Sequence, residues 1–283
     1  MKQNDIYEMV TARILEQLES GSIPWHKPWT GCNGAWSRST GRNYSLLNQW
    51  LMPTGEYATY NQIKKEGGNV IKGSKGYQVV FFKPTKIETT SETGEKVTKV
   101  IPLLKYFTVF QIGVQTEGIE IKHKREAQES IEPLQELENI KNDYLNRTGV
   151  SFRNEKQDRA FYSPCGDSIT LPLMEQFDSI EEYYSTAFHE MAHSTGHPDR
   201  LNRIKLNDIA AFGSNDYGKE ELVAEITASA ILNDTGVETR GTFRNSTAYI
   251  QNWKEAIKAD VKLVVHASSK AQKAYEMIMN INQ

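Results

Sequence analysis

Cysteine is scarce in this 283-residue chain, which carries only Cys32 and Cys165. The two lie far apart in the sequence, and neither belongs to a Cys-x-x-Cys pair. A disulfide framework and a cysteine-based zinc site are therefore excluded, because both need several cysteines at defined spacings. We expect two free thiols, as is normal in a reducing compartment.

Long apolar runs are also missing. No stretch approaches the roughly 20 apolar residues that a helix needs to cross a bilayer. The first residues include Asp5 and Glu8 and lack the apolar core of a secretory signal peptide. With 38% hydrophobic and 24% charged residues, the composition is typical of a soluble globular protein. We therefore expect a cytoplasmic protein without a membrane partner.

The net charge of −3 conceals a difference between the two halves of the chain. Residues 1–125 carry 17 Lys and Arg against 11 Asp and Glu, whereas the remaining residues carry 16 against 25. Between positions 20 and 86, nine basic residues stand against only Glu56 and Glu66. A basic front half favours a polyanionic partner, and the acidic rear half argues against such a partner there.

The chain is long enough for two domains. Residues 116–132 are rich in Glu, Lys and Gln and poor in large apolar side chains, which is typical of a linker. We therefore predict a first domain over residues 1–115 and a second over residues 133–283. The fold class is α+β: a small mixed domain, followed by a mainly helical domain with a small sheet.

Predicted strands and helices follow from apolar periodicity and turn residues. In the first domain the predicted strands cover 69–71, 77–83 and 103–111. In the second domain, 159–163 and 168–173 form a predicted hairpin, and the predicted helices cover 133–145, 179–196, 218–233, 246–258 and 266–281.

The strongest chemical signal is the segment Phe188-His189-Glu190-Met191-Ala192-His193. Residues at i and i+4 project from one helix face, so His189 and His193 can offer two imidazoles to one metal ion. Zinc suits two imidazoles and a carboxylate with a fourth position open to water, although such a set also accepts other divalent ions such as Mn²⁺. Glu190 is then the predicted catalytic base.

The helix that carries this segment has clear start and stop signals. Ser179 and Glu182 have the spacing of a capping box. Gly196 and Pro198 follow His193 and favour the end of the helix there. The preceding segment, 168–173, has the place of the zincin edge strand that pairs with an extended peptide; an internal strand without a substrate role is the alternative.

A third ligand is required, and two parts of the sequence offer one. Glu221 and Glu225 lie at i and i+4 on the next helix, so Glu221 can bind the metal while Glu225 accepts the free N–H of His189. Asp199 is an alternative ligand, since its spacing from the histidines resembles the metzincin pattern with Asp in place of the third His. Glu225 and Glu220 are further alternatives to Glu221 as the third ligand. Glu220 is interpreted as an exposed carboxylate near a helix N-terminus.

Basic and aromatic residues alternate over positions 20–86, which is typical of single-strand binding, where aromatic rings stack on bases and cations follow the phosphates. The loop 72–76 offers two lysines and backbone N–H groups to phosphate. Trp50, Phe81 and Phe82 are instead expected in the core. The candidate DNA contacts are Trp25, Lys27, Trp29, Arg38, Arg42, Tyr44, Lys72, Lys75 and Tyr77.

Several of these motifs together resemble the ArdC family of antirestriction proteins. The front half is similar to the single-stranded-DNA-binding domain of that family, which TraC-type conjugative primases share. The rear half is similar to its zincin-like domain. The front motifs lie at 23–29, 40–44, 67–81 and 106–110, and the rear motifs lie at 158–164, 188–198, 212–214 and 220–225.

The resemblance implies an antirestriction protein of a mobile element. Such a protein binds incoming single-stranded DNA during conjugation and carries a zinc-dependent metallopeptidase-type active site, with a peptide or protein as substrate. Two alternatives stay open. One is a DNA-binding protein whose metal site is structural or inactive, and the other is a plain metallopeptidase whose front domain recognises a protein.

Overall fold

The computed structural model describes residues 3–26, 34–90, 96–123, 133–204, 215–237 and 246–281. Its contacts divide the chain into two compact units. The first unit comprises Met1–Arg13 and Gly34–Arg125, and the second comprises Ile14–Asn33 and Glu126–Gln283. The α+β class with two domains is therefore confirmed. The second unit also contains Ile14–Asn33, a stretch that the sequence analysis places in the first domain.

The first unit is built on a four-stranded sheet with the strand order β1-β2-β5-β4. Strand β1 runs parallel to β2, and β5 pairs antiparallel with both β2 and β4. A two-stranded sheet joins β3 and β6. In chain order the elements are α1 (Gln3–Glu19, which continues into the second unit), β1 (Ala35–Ser37), α2 (Leu46–Leu51), β2 (Gly55–Thr59), α3 (Tyr60–Lys65), β3 (Asn69–Val70), β4 (Tyr77–Thr90), β5 (Lys96–Gln111) and β6 (Thr116–Glu117).

Strands β4 and β5 are longer than the sequence predicts. They pair without interruption from Tyr77 opposite Val109 to Thr90 opposite Lys96. The predicted strands 77–83 and 103–111 are the inner parts of this ladder. Cross-strand pairing extends the ladder into the polar residues 86–90 and 96–98, which carry no strand signal of their own.

Helix α3 anchors the core of this sheet. A capping box starts the helix: Thr59 Oγ1 accepts from the N–H of Gln62 at 3.4 Å, and Gln62 Oε1 accepts from the N–H of Thr59 at 2.8 Å. Ile63 then packs with Ala58 of β2 and with Ile112, which follows β5. The burial of these three side chains fixes α3 against the sheet.

The beginning of the predicted linker belongs to the first unit. Strand β6 pairs with β3, and the N–H groups of Lys122 and His123 donate to the carboxylate of Glu56 at 3.0 and 2.9 Å. Backbone hydrogen bonds to a fully buried side chain hold residues 116–123 in place. Residues 124–132 lie outside the described part of the chain.

The second unit combines helices with a three-stranded sheet of order β7-β9-β8. Helix α5 packs against α6, β8 and β9, and α6 packs against α8. None of the described helices is both long and apolar enough to cross a membrane. The elements are α4 (Pro133–Thr148), β7 (Ser151–Glu155), β8 (Phe161–Ser163), β9 (Ser168–Pro172), α5 (Ile180–Ser194), α6 (Asn215–Asp234), α7 (Ser246–Ala259) and α8 (Leu263–Ile278).

Strand β9 is the central strand of its sheet. It pairs parallel with β7 and antiparallel with β8, so the predicted hairpin between β8 and β9 is present. The β7 side is paired along the whole of β9, and the β8 side is paired over 168–170. The interpretation of 168–173 as an edge strand is therefore wrong, and the alternative of an internal strand describes its place in the sheet.

Candidate metal centre

Helix α5 begins and ends at the predicted signals. The Ser179 Oγ accepts a hydrogen bond from the N–H of Glu182 at 3.2 Å. The helix ends at Ser194, and the N–H of Gly196 donates to the carbonyl of His193 at 2.8 Å. Capping at both ends fixes the helical turn that places the two histidines on one face.

Three side chains from two helices converge at one point. The Nε2 atoms of His189 and His193 on α5 lie 3.1 Å apart. One oxygen of Glu221 on α6 lies 3.3 Å from Nε2 of His189, and the other lies 3.3 Å from Nε2 of His193. Within the described residues this is the group of His, Cys, Asp and Glu side chains whose ligand atoms all lie within 4.8 Å of one another.

The spacing and chemistry of these three side chains fit a divalent cation. In a tetrahedral zinc site, bonds of about 2.0–2.2 Å place two ligand atoms about 3.3–3.6 Å apart. The observed separations of 3.1, 3.3 and 3.3 Å agree with that range to within a few tenths of an ångström. Two imidazoles and one carboxylate also form a donor set that zinc and manganese both accept.

Glu225 lies behind His189, on the side away from the other ligand atoms. Its Oε2 is 3.8 Å from Nδ1 of His189, which is the position the sequence analysis gives it as the acceptor of the ring N–H. Burial by itself lowers the pKa of His189, but the carboxylates of Glu221 and Glu225 outweigh burial and raise the pKa to about 10. Burial raises the pKa of Glu221, whereas the two imidazoles lower it, and the net direction is down.

Glu220 occupies the corresponding place behind His193. Its Oε1 lies 4.0 Å from Nδ1 of His193 and accepts from Nη2 of Arg203 at 2.6 Å. The side chain is 16% exposed, so the interpretation of Glu220 as an exposed helix-end carboxylate is wrong. Its pairing with a buried guanidinium holds it inside the site.

The loop after α5 folds back and delivers Arg203 to the helix end. The N–H groups of Arg203 and Ile204 both donate to the carbonyl of Gly196 at 2.9 Å. The guanidinium then donates to the carbonyl of Ala192 and to Thr195 Oγ1, each at 2.9 Å. The sequence analysis does not identify Arg203, because its partner Glu220 is 17 residues away and no local pattern links them.

Asp199 is not part of the cluster. Its side chain is 87% exposed, and its carboxylate lies 3.6 Å from Nδ1 of His197. Asp199 also donates its backbone N–H to that ring nitrogen. The loop directs Asp199 towards solvent, so the structure does not support it as the third ligand.

Glu190 is buried on α5 directly after His189. Its charge is one of the factors that raise the pKa of His189. Glu190 is not one of the three clustered side chains, and its role in exchanging a proton with a bound water stays a prediction.

A second arginine ties the sheet to the end of α5. Arg200 donates from Nη1 to Asp167 at 2.9 Å and from Nε to the carbonyl of Ser194 at 2.7 Å. Its Nη2 also contacts Asp167 and the hydroxyl of Tyr162. This paired contact fixes the β8–β9 turn against α5, and no sequence motif indicates it.

The candidate DNA contacts fall into separate groups. Trp25 is 2% exposed in the second unit, and its carbonyl accepts from Asn233, so we assign it to the core. Arg38 is buried between Glu56 and Glu66 and is likewise a structural residue.

The remaining candidates are more accessible or lie outside the description. Arg42, Lys72 and Lys75 are exposed. Tyr44 and Tyr77 are half-buried and contact the buried ring of Tyr57 edge-on. Two further candidates, Lys27 and Trp29, lie outside the described residues.

Comparison with known proteins agrees with this two-part architecture. A family model described as the N-terminal domain of anti-restriction factor ArdC matches residues 4–110, and one described as a zincin-like metallopeptidase matches residues 139–270. A metal-free crystal structure of the antirestriction protein ArdC from the R388 plasmid is 33% identical, with a TM-score of 0.70. The match covers 99% of this chain and 100% of that one. The chain belongs to the ArdC antirestriction family. The resemblance of the sequence motifs is thereby confirmed.

Other relatives of this ArdC family member differ in length and name. An Mn(II)-bound structure of the R388 ArdC protein is 31% identical, with a TM-score of 0.72 and 97% of each chain covered. Two Escherichia coli proteins named DNA primase TraC are 32% and 33% identical over 98% of this chain, but the chain spans only 27% and 20% of their length. An uncharacterized protein of Sinorhizobium fredii is 28% identical, with 95% of this chain and 89% of that protein covered.

Proposed function

We propose that this protein is a cytoplasmic antirestriction protein of a mobile element. In this proposal its first unit binds single-stranded DNA, and its second unit hydrolyses a peptide bond at a divalent-metal site. The convergence of His189, His193 and Glu221, with Glu190 buried beside them, is the observation that supports the catalytic half. Family membership supports the antirestriction role.

The ligand set suits zinc, and manganese is the alternative. The R388 relative has been crystallised with Mn(II). Held by His189, His193 and Glu221, such a cation would polarise the scissile carbonyl and bring the pKa of a bound water towards about 7. Glu225 and Glu220 keep the two imidazoles oriented from behind, since each faces one Nδ1 atom.

Glu190 performs the proton transfers in this proposal. Its carboxylate takes a proton from the attacking water and delivers it to the leaving amine nitrogen, so that one water is consumed and one peptide bond is broken. Because the carboxylate is buried, few competing water molecules reach it.

Glu190→Gln tests the catalytic half. The amide keeps the shape of the side chain but cannot accept the proton, so hydrolysis should fall by about 10²- to 10⁴-fold while metal content stays at the wild-type level. Metal analysis and mass spectrometry of a digested peptide library measure the two properties. Plasmid transfer into a restricting recipient should be repeated with this variant. Unchanged protection would mean that hydrolysis is not what protects the DNA.

The DNA-binding half rests on charge and on family. The first unit presents the exposed cations Arg42, Lys72 and Lys75, and it matches the N-terminal ArdC domain. Phosphate contacts of this kind release counterions. The logarithm of the binding constant for a labelled oligonucleotide should therefore fall linearly with the logarithm of the salt concentration, with a slope of about −0.7 per phosphate contact. Salt-independent binding, or none at low salt, would contradict this half of the proposal.

A further inference from the structure

Two exposed phenylalanines stand on the long strand pair of the first unit. Phe81 on β4 is 47% exposed, and Phe107 on β5 is 48% exposed. The sequence analysis expects Phe81 in the core, and the structure corrects this, because nothing in the described chain covers the ring fully. Neighbouring exposed aromatic rings are a feature of binding surfaces.

The register places these two rings on the same face. Phe107 lies opposite Val79, Phe81 lies opposite Lys105, and Lys83 lies opposite Leu103. Residues directly opposite each other in an antiparallel pair share a face. Phe81 and Phe107 are therefore diagonal neighbours, and the Cα atoms of such neighbours are about 7–8 Å apart.

Lysines flank the two rings. Lys83, Leu103 and Lys105 are exposed along with Phe81 and Phe107, and we call these five residues the aromatic face. None of the five is acidic. Adjacent aromatic rings with cations beside them suit single-stranded nucleic acid, in which every nucleotide carries a flat base and a phosphate.

The outer edge of strand β4 is occupied at Val80, next to Phe81. Asn48 donates to the carbonyl of Val80 at 2.9 Å and accepts from its N–H at 2.8 Å. Because side-chain hydrogen bonds cap the backbone of β4 there, an added β-strand cannot pair with Val80. A ligand therefore has the exposed face of the strand pair available to it rather than this part of the edge.

We propose that single-stranded DNA binds across the aromatic face, with bases stacked on Phe81 and Phe107 and phosphates near Lys83 and Lys105. This inference rests on the proposed DNA-binding function and assigns it to specific residues. A second copy of the chain fits less well, because a symmetric contact through this face would bring the lysines of two copies together. Lysine is also depleted in the centres of protein interfaces.

The test measures binding of fluorescein-labelled oligo-dT to the full chain by anisotropy. Phe81→Ala and Phe107→Ala should each weaken binding by about fivefold or more, and the double variant by at least about 25-fold, since each lost stacking contact is worth about 1 kcal/mol or more. Phe→Trp at either site should retain binding, whereas Phe→Leu should not. Thermal melting of each variant checks that the fold is kept.

An abasic oligonucleotide of the same length separates stacking from every other effect. It keeps the phosphates but has no bases, so wild-type protein should bind it more weakly than oligo-dT. The phenylalanine substitutions should then cost nothing further. If they weaken binding of the abasic strand as much as that of oligo-dT, stacking is not their role and the inference is overturned.

Tyr60→Ala is the matched control, because Tyr60 is an equally exposed aromatic of the same unit next to a lysine, on helix α3. It should leave the affinity unchanged.

Loss of binding in Tyr60→Ala but not in the phenylalanine variants would overturn the assignment while the proposed DNA binding stands. Failure of the wild-type chain to bind oligo-dT would remove both. Sedimentation that shows a dimer broken by Phe107→Ala would assign the face to a second copy instead.

Discussion

Each unit contains a partly buried cluster of charged side chains, and the two differ in how their polar atoms are partnered. In the first unit Arg38 lies 2.6 Å from Glu56 and 2.7 Å from Glu66 and also donates to the carbonyl of Glu120. The remaining acceptor capacity of Glu56 is filled by backbone N–H groups. Every strong donor and acceptor there has a partner within the chain, and the cluster is complete without a ligand.

The cluster of the second unit is not complete in this way. The imidazoles of His189 and His193 lie next to Glu221, with Glu225 and Glu220 behind them. The Nε2 atoms of the two histidines and the oxygens of Glu221 converge at 3.1 and 3.3 Å from one another, a spacing that suits the ligands of a divalent ion. The comparison indicates that the first cluster, closed by its own hydrogen bonds, stabilises the fold, whereas converging nitrogen and oxygen atoms suit the binding of a cation.

Arg38→Ala should produce the largest effect on the closed cluster. Removing one partner leaves the Glu56 carboxylate buried without its cation, which costs about 3–5 kcal/mol of unfolding free energy. Chemical denaturation measures this loss. The exposed Arg42→Ala is the control and should change stability by less than about 0.5 kcal/mol. Equal stability of the two variants, with DNA binding lost only in Arg38→Ala, would make Arg38 a binding residue and break the comparison.

Glu221→Ala tests the cluster of the second unit. Loss of a ligand should reduce zinc affinity by more than about 100-fold, the upper range found for groups that merely support a ligand. Competition with a chromophoric chelator measures the affinity. Asp199→Ala is the matched variant, because the sequence offers it as the alternative ligand although the structure places it in solvent. If Asp199→Ala loses the metal and Glu221→Ala keeps it, the assignment of ligands fails.

Glu220→Gln and Arg203→Ala should have smaller effects, since both residues act through His193. Zinc affinity should fall by about 10- to 100-fold in each, as expected for groups that orient a ligand. Arg203→Lys keeps the charge but not the paired geometry, and should recover part of the affinity. A purely structural role would instead lower the melting temperature of the metal-free protein and leave zinc affinity unchanged.

Much of the metal cluster could be predicted because helical spacing places it. Residues four apart on a helix share a face whatever surrounds them, so the pairs His189 and His193, and Glu221 and Glu225, follow from sequence. The encounter of the two helices could only be inferred from the apolar face of the second one. Arg203 and Arg200 could not be found, because loop folding brings them to their partners.

The proposed DNA-binding surface was harder to predict because exposure is a tertiary property. Arg38 is basic and lies among aromatic residues, but carboxylates 18 and 28 residues away enclose it. Phe81 lies in an apolar, strand-forming segment that looks like core, but only part of that strand pair is covered. Residue type alone does not distinguish a buried ring from one that faces solvent.

The crowded backbone at Gly196 links a remote loop to metal chemistry. A methyl group there would lie 2.8 Å from the side chain of Ile204 and 3.0 Å from the carbonyl oxygen of His193. Relief of that crowding would move the loop segment that carries Arg203, and with it the Glu220 carboxylate behind the His193 imidazole. Gly196→Ala should therefore change the affinity of the candidate site for a divalent cation without altering any of the side chains assigned to that site.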